Sequence, residues 1–279
     1  MAGFDQVLGQ EHIKKFFRNA AATGNVPHAC ILSGEEGMGK RKLAEAFARN
    51  LLCERGGAEA CGQCHSCKQT AAESHPDLIF VTHEKPASIG VDDVRKQIQD
   101  TIVIRPYSGR YKIYIVDEAE KMTVQAQNAL LKTIEEPPSY GVILLLTENL
   151  DIFLPTILSR CVQLKCRPVS DRDGKAYLMD HLHVPEERAE IYAAFGRGNI
   201  GKMVDFATSE KFQNMYDKMI YILKNIKEMD ISDLLNCIKE LKDENVDIYD
   251  CLDFMQMWYR DVLMYKVTRD MNLMIFKNE

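Results

Sequence analysis

The sequence predicts an α/β protein, a parallel sheet built around a phosphate-binding loop and followed by segments that are all helix. Three observations predict it. Over the first 165 or so residues, short runs that are apolar throughout alternate with helical patterns, as in a sheet buried on both faces. The first strong run leads directly into a G-x-x-x-x-G-K stretch and then into a helical pattern. From about Ser170 the strand signal stops and only helical periodicity remains.

The expected strands are residues 29–33, 78–82, 112–116, 142–147 and 162–164. Helices are expected at 11–22, 40–52, 91–102 and 123–136, the last closed by Pro137 and Pro138, which cannot continue a helix. This alternation predicts a doubly wound domain. Beyond it, 171–182 and 185–195 read as a helix pair leading to a glycine-rich joint at Gly196, Gly198 and Gly201. Phe212, Met215, Met219, Ile222, Leu223 and Ile226 then recur at helical spacing. Ser232 reads as the N-cap of a helix carrying Leu234, Leu235, Ile238 and Leu241, and a third run carries Leu252, Met255, Tyr259, Val262 and Leu263. This methionine-rich stripe reads as bundle core. The final apolar run, 273–276, has no C-cap, which suggests a chain cut inside a helix. There is no internal repeat and no low-complexity segment.

Composition narrows the function classes. At 279 residues, 46% hydrophobic and 27% charged, the chain has room for about two domains of roughly 150 residues. Its apolar runs fall far short of the ~20 residues of a membrane helix, and Asp5 and Glu11 stand where a signal peptide would be apolar. The expectation is a cytoplasmic protein with no membrane partner. A net charge of −6 argues against gripping nucleic acid by bulk charge. Nine cysteines, an odd number with four clustered, point to metal rather than to a disulfide framework.

The loop reads Gly34-Glu35-Glu36-Gly37-Met38-Gly39-Lys40-Arg41. Gly34, Gly37 and Gly39 would expose backbone N–H groups to phosphate oxygens at a helix N-terminus, and Lys40 would add a positive charge. The last position should be a Ser or Thr that ligates Mg²⁺, yet it is Arg41, and a guanidinium cannot ligate a cation. The strand Lys112-Ile113-Tyr114-Ile115-Val116 ends in Asp117 and Glu118. Asp117 would hold Mg²⁺ through water and Glu118 would orient the attacking water, unless the two are a solvated pair at a strand end. The expected behaviour is binding of ATP or ADP, weakly or without efficient hydrolysis.

Cys53, Cys61, Cys64 and Cys67 read C-x7-C-x2-C-x2-C. Two C-x-x-C turns bring three thiolates to one point, and Cys53 closes a tetrahedral S₄ set for structural zinc, with no open coordination position. An iron–sulfur cluster or free redox thiols remain alternatives. His65 reads as solvated, and Cys30, Cys161, Cys166, Cys237 and Cys251 as core or near-core.

These features, with TVQAQNALLKTIEEPP (123–138), Leu144-Leu145-Leu146-Thr147 and Ser159-Arg160-Cys161, resemble the AAA+ clamp-loader ATPases of bacterial DNA replication. The resemblance runs from Val7-Leu8-Gly9-Gln10 to Trp258-Tyr259-Arg260-Asp261. It implies an AAA+ parallel-sheet domain over 1–167 with a zinc insertion at about 53–67, a small helical lid over 168–206 and an all-α collar over 207–279. It matches the four cysteines to the insertion's zinc ligands. Thr147 then corresponds to the sensor 1 position, which feels the γ-phosphate, and Arg160 to an arginine finger presented to a neighbour's ATP; read alone, Arg160 is equally a surface ion pair. The implied partners are loader ATPase subunits of the gamma/tau type and the delta subunit, with the sliding clamp and primed DNA reached through the complex. Two departures fall on the chain's own site: Arg41, and the lack of a sensor 2 arginine around Gly198-Asn199-Ile200-Gly201-Lys202. They imply a subunit that helps a partner hydrolyse ATP while scarcely doing so itself. The rivals are an active motor subunit, a metal-sulfur redox or sensor protein on a nucleotide fold, and a nucleotide-binding adaptor with no DNA role.

Overall fold

A computed structural model describes residues 3–83, 85–243 and 246–277. The chain divides into two compact units, Met1–Arg167 and Pro168–Glu279. The first is built on five strands, β1 (Ala29–Ser33), β2 (Leu78–Val81), β3 (Lys112–Val116), β4 (Gly141–Thr147) and β5 (Val162–Lys165). They pair in the order β2-β3-β4-β1-β5, every pair parallel. Each residue of β1, β3 and β4 is buried, which is why these strands read as unbroken apolar runs, while edge strand β5 alternates between half-buried and exposed positions.

Helices cover both faces. Cys30 and Leu32 of β1 pack with α1 (Glu11–Thr23) and α2 (Lys40–Leu52), whereas Ile31 joins the opposite cluster. That cluster takes in α4, which starts at Val91–Val94, and α5 (Val124–Glu135). Between α2 and α4 in sequence lies α3 (His65–Ala71), and α6 (Pro155–Leu158) precedes β5; both are too short to show a periodicity. The helix expected over 91–102 is not continuous: it widens into a π turn at Arg95–Gln99 before closing with Asp100–Ile102. Within that turn Gln97 bonds the backbone of Thr82 in both directions, donating to its carbonyl at 2.6 Å and accepting its N–H at 2.9 Å.

The second unit is helical: α7 (Asp171–Leu182), α8 (Glu186–Gly196), α9 (Ile200–Thr208), α10 (Glu210–Asn225), α11 (Ile231–Asp243) and α12 (Ile248–Thr268). Four expectations are corrected. The glycine-rich joint is narrower than expected: Gly198, at φ 80°, does lie in the turn between α8 and α9, but Gly201 lies inside α9, and Gly196 ends α8 as a packing position where a Cβ would sit 2.3 Å from the buried Met203 side chain. The cap of α11 is Asp230, which accepts the Asp233 N–H at 2.8 Å, so Ser232 falls inside the first turn. The run 273–276 is not helix interior: a 3₁₀ turn at Met271–Leu273 leads to a segment whose Phe276 is buried against the rings of Phe254 and Trp258. The stripe is also only partly core. Met215, Met219 and Met257 are buried, while Leu235, Ile238, Leu252, Tyr259, Val262 and Leu263 are exposed on this chain.

Candidate functional site

The strand order decides where the loop residues meet. Because all strands are parallel and β4 lies between β1 and β3, the loop after β1, Thr147 at the end of β4 and Asp117 after β3 all gather at the carboxyl edge of the sheet. Gly34 donates its N–H to the Thr147 carbonyl at 3.1 Å, tying loop to strand. Its glycine is required, since a Cβ there would come within 2.9 Å of the Cys166 Cβ. Gly39 caps α2 with φ of 84°, a left-handed conformation that disfavours any side chain. With Gly37 these residues make a glycine-rich turn that opens onto a helix of thirteen residues. Lys40 folds back over the loop, its Nζ donating to the carbonyls of Gly34 (2.6 Å) and Glu35 (2.9 Å).

Arg41 is the unusual member. Its Nε donates to Glu45 at 2.8 Å, NH1 lies 3.6 Å from Asp117, NH2 lies 3.8 Å from Glu73, and the guanidinium stands over the Phe80 ring. The hydrogen bond to Glu45 holds its pKa above the ordinary arginine value. Asp117 therefore faces a cation supplied by the chain, while its other oxygen accepts the Glu118 N–H at 3.0 Å. Glu118 itself sits at φ 48°, an uncommon backbone state for a residue with a side chain. Its carboxylate is paired with Lys121 at 2.7 Å and with His83 at 3.8 Å. The hydroxyl of buried Thr147 closes the following turn, donating to the Asn149 carbonyl and accepting its N–H.

Arg160 stands elsewhere. Strand register pairs Cys30 with Val162, so Arg160 lies near the start of β1, about 20 Å of strand from Gly34. One arginine cannot span that length, so Arg160 is out of reach of its own phosphate loop. Its guanidinium is half-exposed and pairs with Glu135 at 3.0 Å, with NH1 also donating to the Thr156 carbonyl. In the second unit, Lys202 belongs to the first turn of α9, where its N–H donates to the capping side chain of Asn199.

The four cysteines converge. The Sγ atoms of Cys53, Cys61, Cys64 and Cys67 all lie within 4.8 Å of one another, which fits the roughly 3.8 Å sulfur separation that a tetrahedral ion with bonds of about 2.3 Å requires. The cluster is able to hold a metal. Backbone N–H groups point at the sulfurs, from Cys61 to Cys53, Cys64 to Cys61 and Cys67 to Cys64, each at 3.4 Å. The amides of Gln63 and Cys64 draw the Cys61 thiol down to about 6, whereas burial pushes the Cys67 thiol up. His65 is exposed, as expected, and Cys30, Cys161 and Cys166 are buried with raised thiol pKa values, burial being the first cause of each.

A buried relay that the sequence did not reveal braces this cluster. Asp77 N–H donates to His75 Nδ1 at 3.1 Å, which leaves Nε2 to donate to Ser66 Oγ at 2.8 Å; Ser66 in turn donates to the Leu52 carbonyl at 2.7 Å. Burial holds His75 below its usual pKa, consistent with that neutral tautomer. The chain of bonds fastens α3, which carries Cys67, to α2 and to the start of β2. Asp77, almost wholly buried, accepts the N–H groups of Tyr107, Ser108 and Gly109. Burial alone would raise its pKa, but the loop amides outweigh it and hold the carboxyl below the ordinary aspartate range.

Comparison with known proteins bears on the family and the fold. A family model described as DNA polymerase III, delta subunit matches residues 9–170. Among curated proteins, DNA polymerase III subunit tau of Bacillus subtilis is 30% identical over 285 residues, covering 94% of this chain and 50% of that protein. DNA polymerase III subunit gamma of Buchnera aphidicola is 29% identical, covering 89% of this chain and 72% of that protein. This chain thus spans about half the length of the Bacillus relative. Among solved structures, the RuvB Holliday junction branch migration motor of Thermotoga maritima aligns with a TM-score of 0.51 at 16% identity, over 95% of this chain and 80% of that one. At that identity the likeness speaks to the fold, which is AAA+-like with a helical C-terminal part.

Proposed function

The chain belongs to the DNA polymerase III delta-subunit family, and on that premise we propose that it is a delta-prime-type subunit of the clamp loader, a stator that assists ATP hydrolysis by a neighbour. One observation carries the reading: the chain's own metal position holds Arg41 against Asp117, while Arg160 stands at the other end of the sheet, out of reach of its own loop. A guanidinium so placed can reach only a phosphate brought by another chain, where it would stabilise the charge developing on the transferring phosphoryl group. Gly34, Gly37, Gly39 and Lys40 would hold the phosphates of ATP or ADP, with Thr147 at the end of β4 and Asp117 just after β3. Glu118, committed to Lys121, is a vestige of the water-orienting glutamate. Zn²⁺ in the four-cysteine set would brace the insertion, a structural role with no open coordination position.

The partners are gamma/tau-type ATPase subunits and the delta subunit, and through them the sliding clamp and primed DNA, in the cytoplasm. Residues 168–206 would form the lid and 207–279 the collar, and the exposed apolar side chains of α11 and α12 support burial against neighbours there. A second reading, an active gamma/tau-type motor, is favoured by the relatives named gamma and tau. The two separate in one assay, steady-state ATP hydrolysis by the chain alone and by the complex reconstituted with gamma/tau and delta subunits on primed DNA. The stator reading expects background turnover alone and a loss of complex turnover with Arg160→Ala. Turnover by the chain alone that Lys40→Ala abolishes would establish the motor, and a complex indifferent to Arg160→Ala would sink the finger.

A further inference from the structure

Magnesium does not fit this phosphate loop. In loops of this kind the ion is held between a hydroxyl at the residue after the lysine and a carboxylate at a neighbouring strand tip. Here the hydroxyl position is Arg41, and the carboxylate, Asp117, faces that same guanidinium at 3.6 Å. Both protein partners of the ion are thus taken up by one fixed cation. We propose that Arg41 is a tethered replacement for Mg²⁺, so that the loop takes a nucleoside di- or triphosphate without a divalent cation; this rests on the phosphate-loop reading above.

The surroundings hold the guanidinium in place while leaving donors to offer. Nε is committed to Glu45 at 2.8 Å, and the ring of Phe80 supports the flat face at 5.1 Å. NH1 and NH2 stand 3.6 and 3.8 Å from Asp117 and Glu73, beyond ordinary hydrogen-bond distance, so their N–H groups remain available to phosphate oxygens. A guanidinium presents planar, paired donors that match phosphate geometry, and it stays charged at every working pH. Lys40, one residue earlier on the same loop, supplies a second cation. Together they bring two positive charges to a site that in a magnesium-dependent loop would have three, from lysine and the ion.

The test is nucleotide binding by the full chain, followed with a fluorescent ATP or ADP analogue in metal-depleted buffer and again with Mg²⁺ added. Added chelator is avoided, because it would also challenge the four-cysteine site. The wild-type affinity is expected to change by less than about threefold when Mg²⁺ is added, whereas Arg41→Thr should gain about tenfold or more from it. Arg41→Met, which removes the charge without providing a hydroxyl, should bind weakly under both conditions, and circular dichroism checks that each variant is folded. A wild-type affinity that rises about tenfold with Mg²⁺ would overturn the inference and leave the loop a nucleotide site. Arg41→Thr behaving like wild type would overturn it too, as would tight binding only after Arg41 is removed, which would make the residue a block. Binding by neither wild type nor variant would instead refute the phosphate-loop reading itself.

Discussion

Asp261→Ala should loosen the helical unit, and the size of the effect follows from what that carboxylate holds. It is buried in α12, and one oxygen accepts the N–H groups of Ile275 and Phe276 at 2.6 and 2.9 Å, while the other accepts from Arg260 at 2.7 Å. The Arg260 pair is half-exposed and contributes little by itself. The two backbone bonds to an ionised acceptor are worth about 1.5–3 kcal/mol each, so their joint loss costs about 3–6 kcal/mol if the donors stay buried. If the segment detaches instead, the donors regain water but Phe276 and Met274 lose their burial, about 1.5–3 kcal/mol apiece. Both routes converge on about 3–6 kcal/mol, against a typical total of about 5–15. Asp261→Asn keeps one accepting oxygen and should cost about half as much. The assay is intrinsic to the chain: its one tryptophan, Trp258, lies with its ring 5.5 Å from that of Phe276, so urea titration by fluorescence reports this unit directly. An Asp261→Ala midpoint within about 0.5 kcal/mol of wild type, or a native emission spectrum left unchanged, would refute the reasoning.

Cys64→Ser should lower the zinc content measured by elemental analysis from one ion per chain towards none and destabilise the first unit, because binding of a structural ion contributes directly to folding; a melting temperature indifferent to both mutation and chelator would contradict it. Asp77→Asn should cost about 2–4 kcal/mol at neutral pH, since an amide nitrogen would face the loop donors. Because folding depresses the Asp77 pKa, its contribution is complete above the unfolded value of about 3.9 and disappears as pH falls through the folded value. The gap between wild type and Asp77→Asn should therefore close in acid, and a gap constant from neutrality down to pH of about 2.5 would refute the assignment.

What could be read from the sequence was what depends on local spacing. The sheet was legible because β1, β3 and β4 are buried on both faces and so are apolar at every position. The cysteine set was legible because its ligands lie within fifteen residues of one another. The identity of Arg41 was visible, but its contact with Asp117 depends on β3 and β1 flanking β4, an order no local pattern encodes. The Ser66–His75–Asp77 relay left no signal, since one serine and one histidine nine residues apart have no characteristic spacing. Asp261 stood inside a quoted motif, yet its partners arrive fourteen and fifteen residues later on irregular backbone. The cap of α11 was decidable: Asp230 has an acid three residues on, Asp233, which accepts the Asp230 N–H, whereas Ser232 has Leu235 there.

The two arginines differ in what it costs to release them, and that difference is testable. Freeing Arg41 means leaving three carboxylates, one of them hydrogen-bonded at 2.8 Å, and a ring face. Freeing Arg160 means breaking an exposed pair with Glu135, a contact worth at most about 1 kcal/mol, and exposed hydrogen bonds to the Thr156 carbonyl and the Ser159 hydroxyl that water replaces. If Arg160 is delivered to a neighbour's phosphate, Glu135 competes with that phosphate for the same guanidinium. Glu135→Ala should then leave the turnover of the assembled complex unchanged or raise it, by up to about fivefold for 1 kcal/mol. Arg160→Ala should lower it, so the two variants move the same rate in opposite directions although they remove the same ion pair. A purely structural ion pair predicts the reverse: both variants would lower stability slightly and shift turnover together. Equal losses of turnover from the two variants would therefore assign Arg160 to the fold rather than to a neighbouring site.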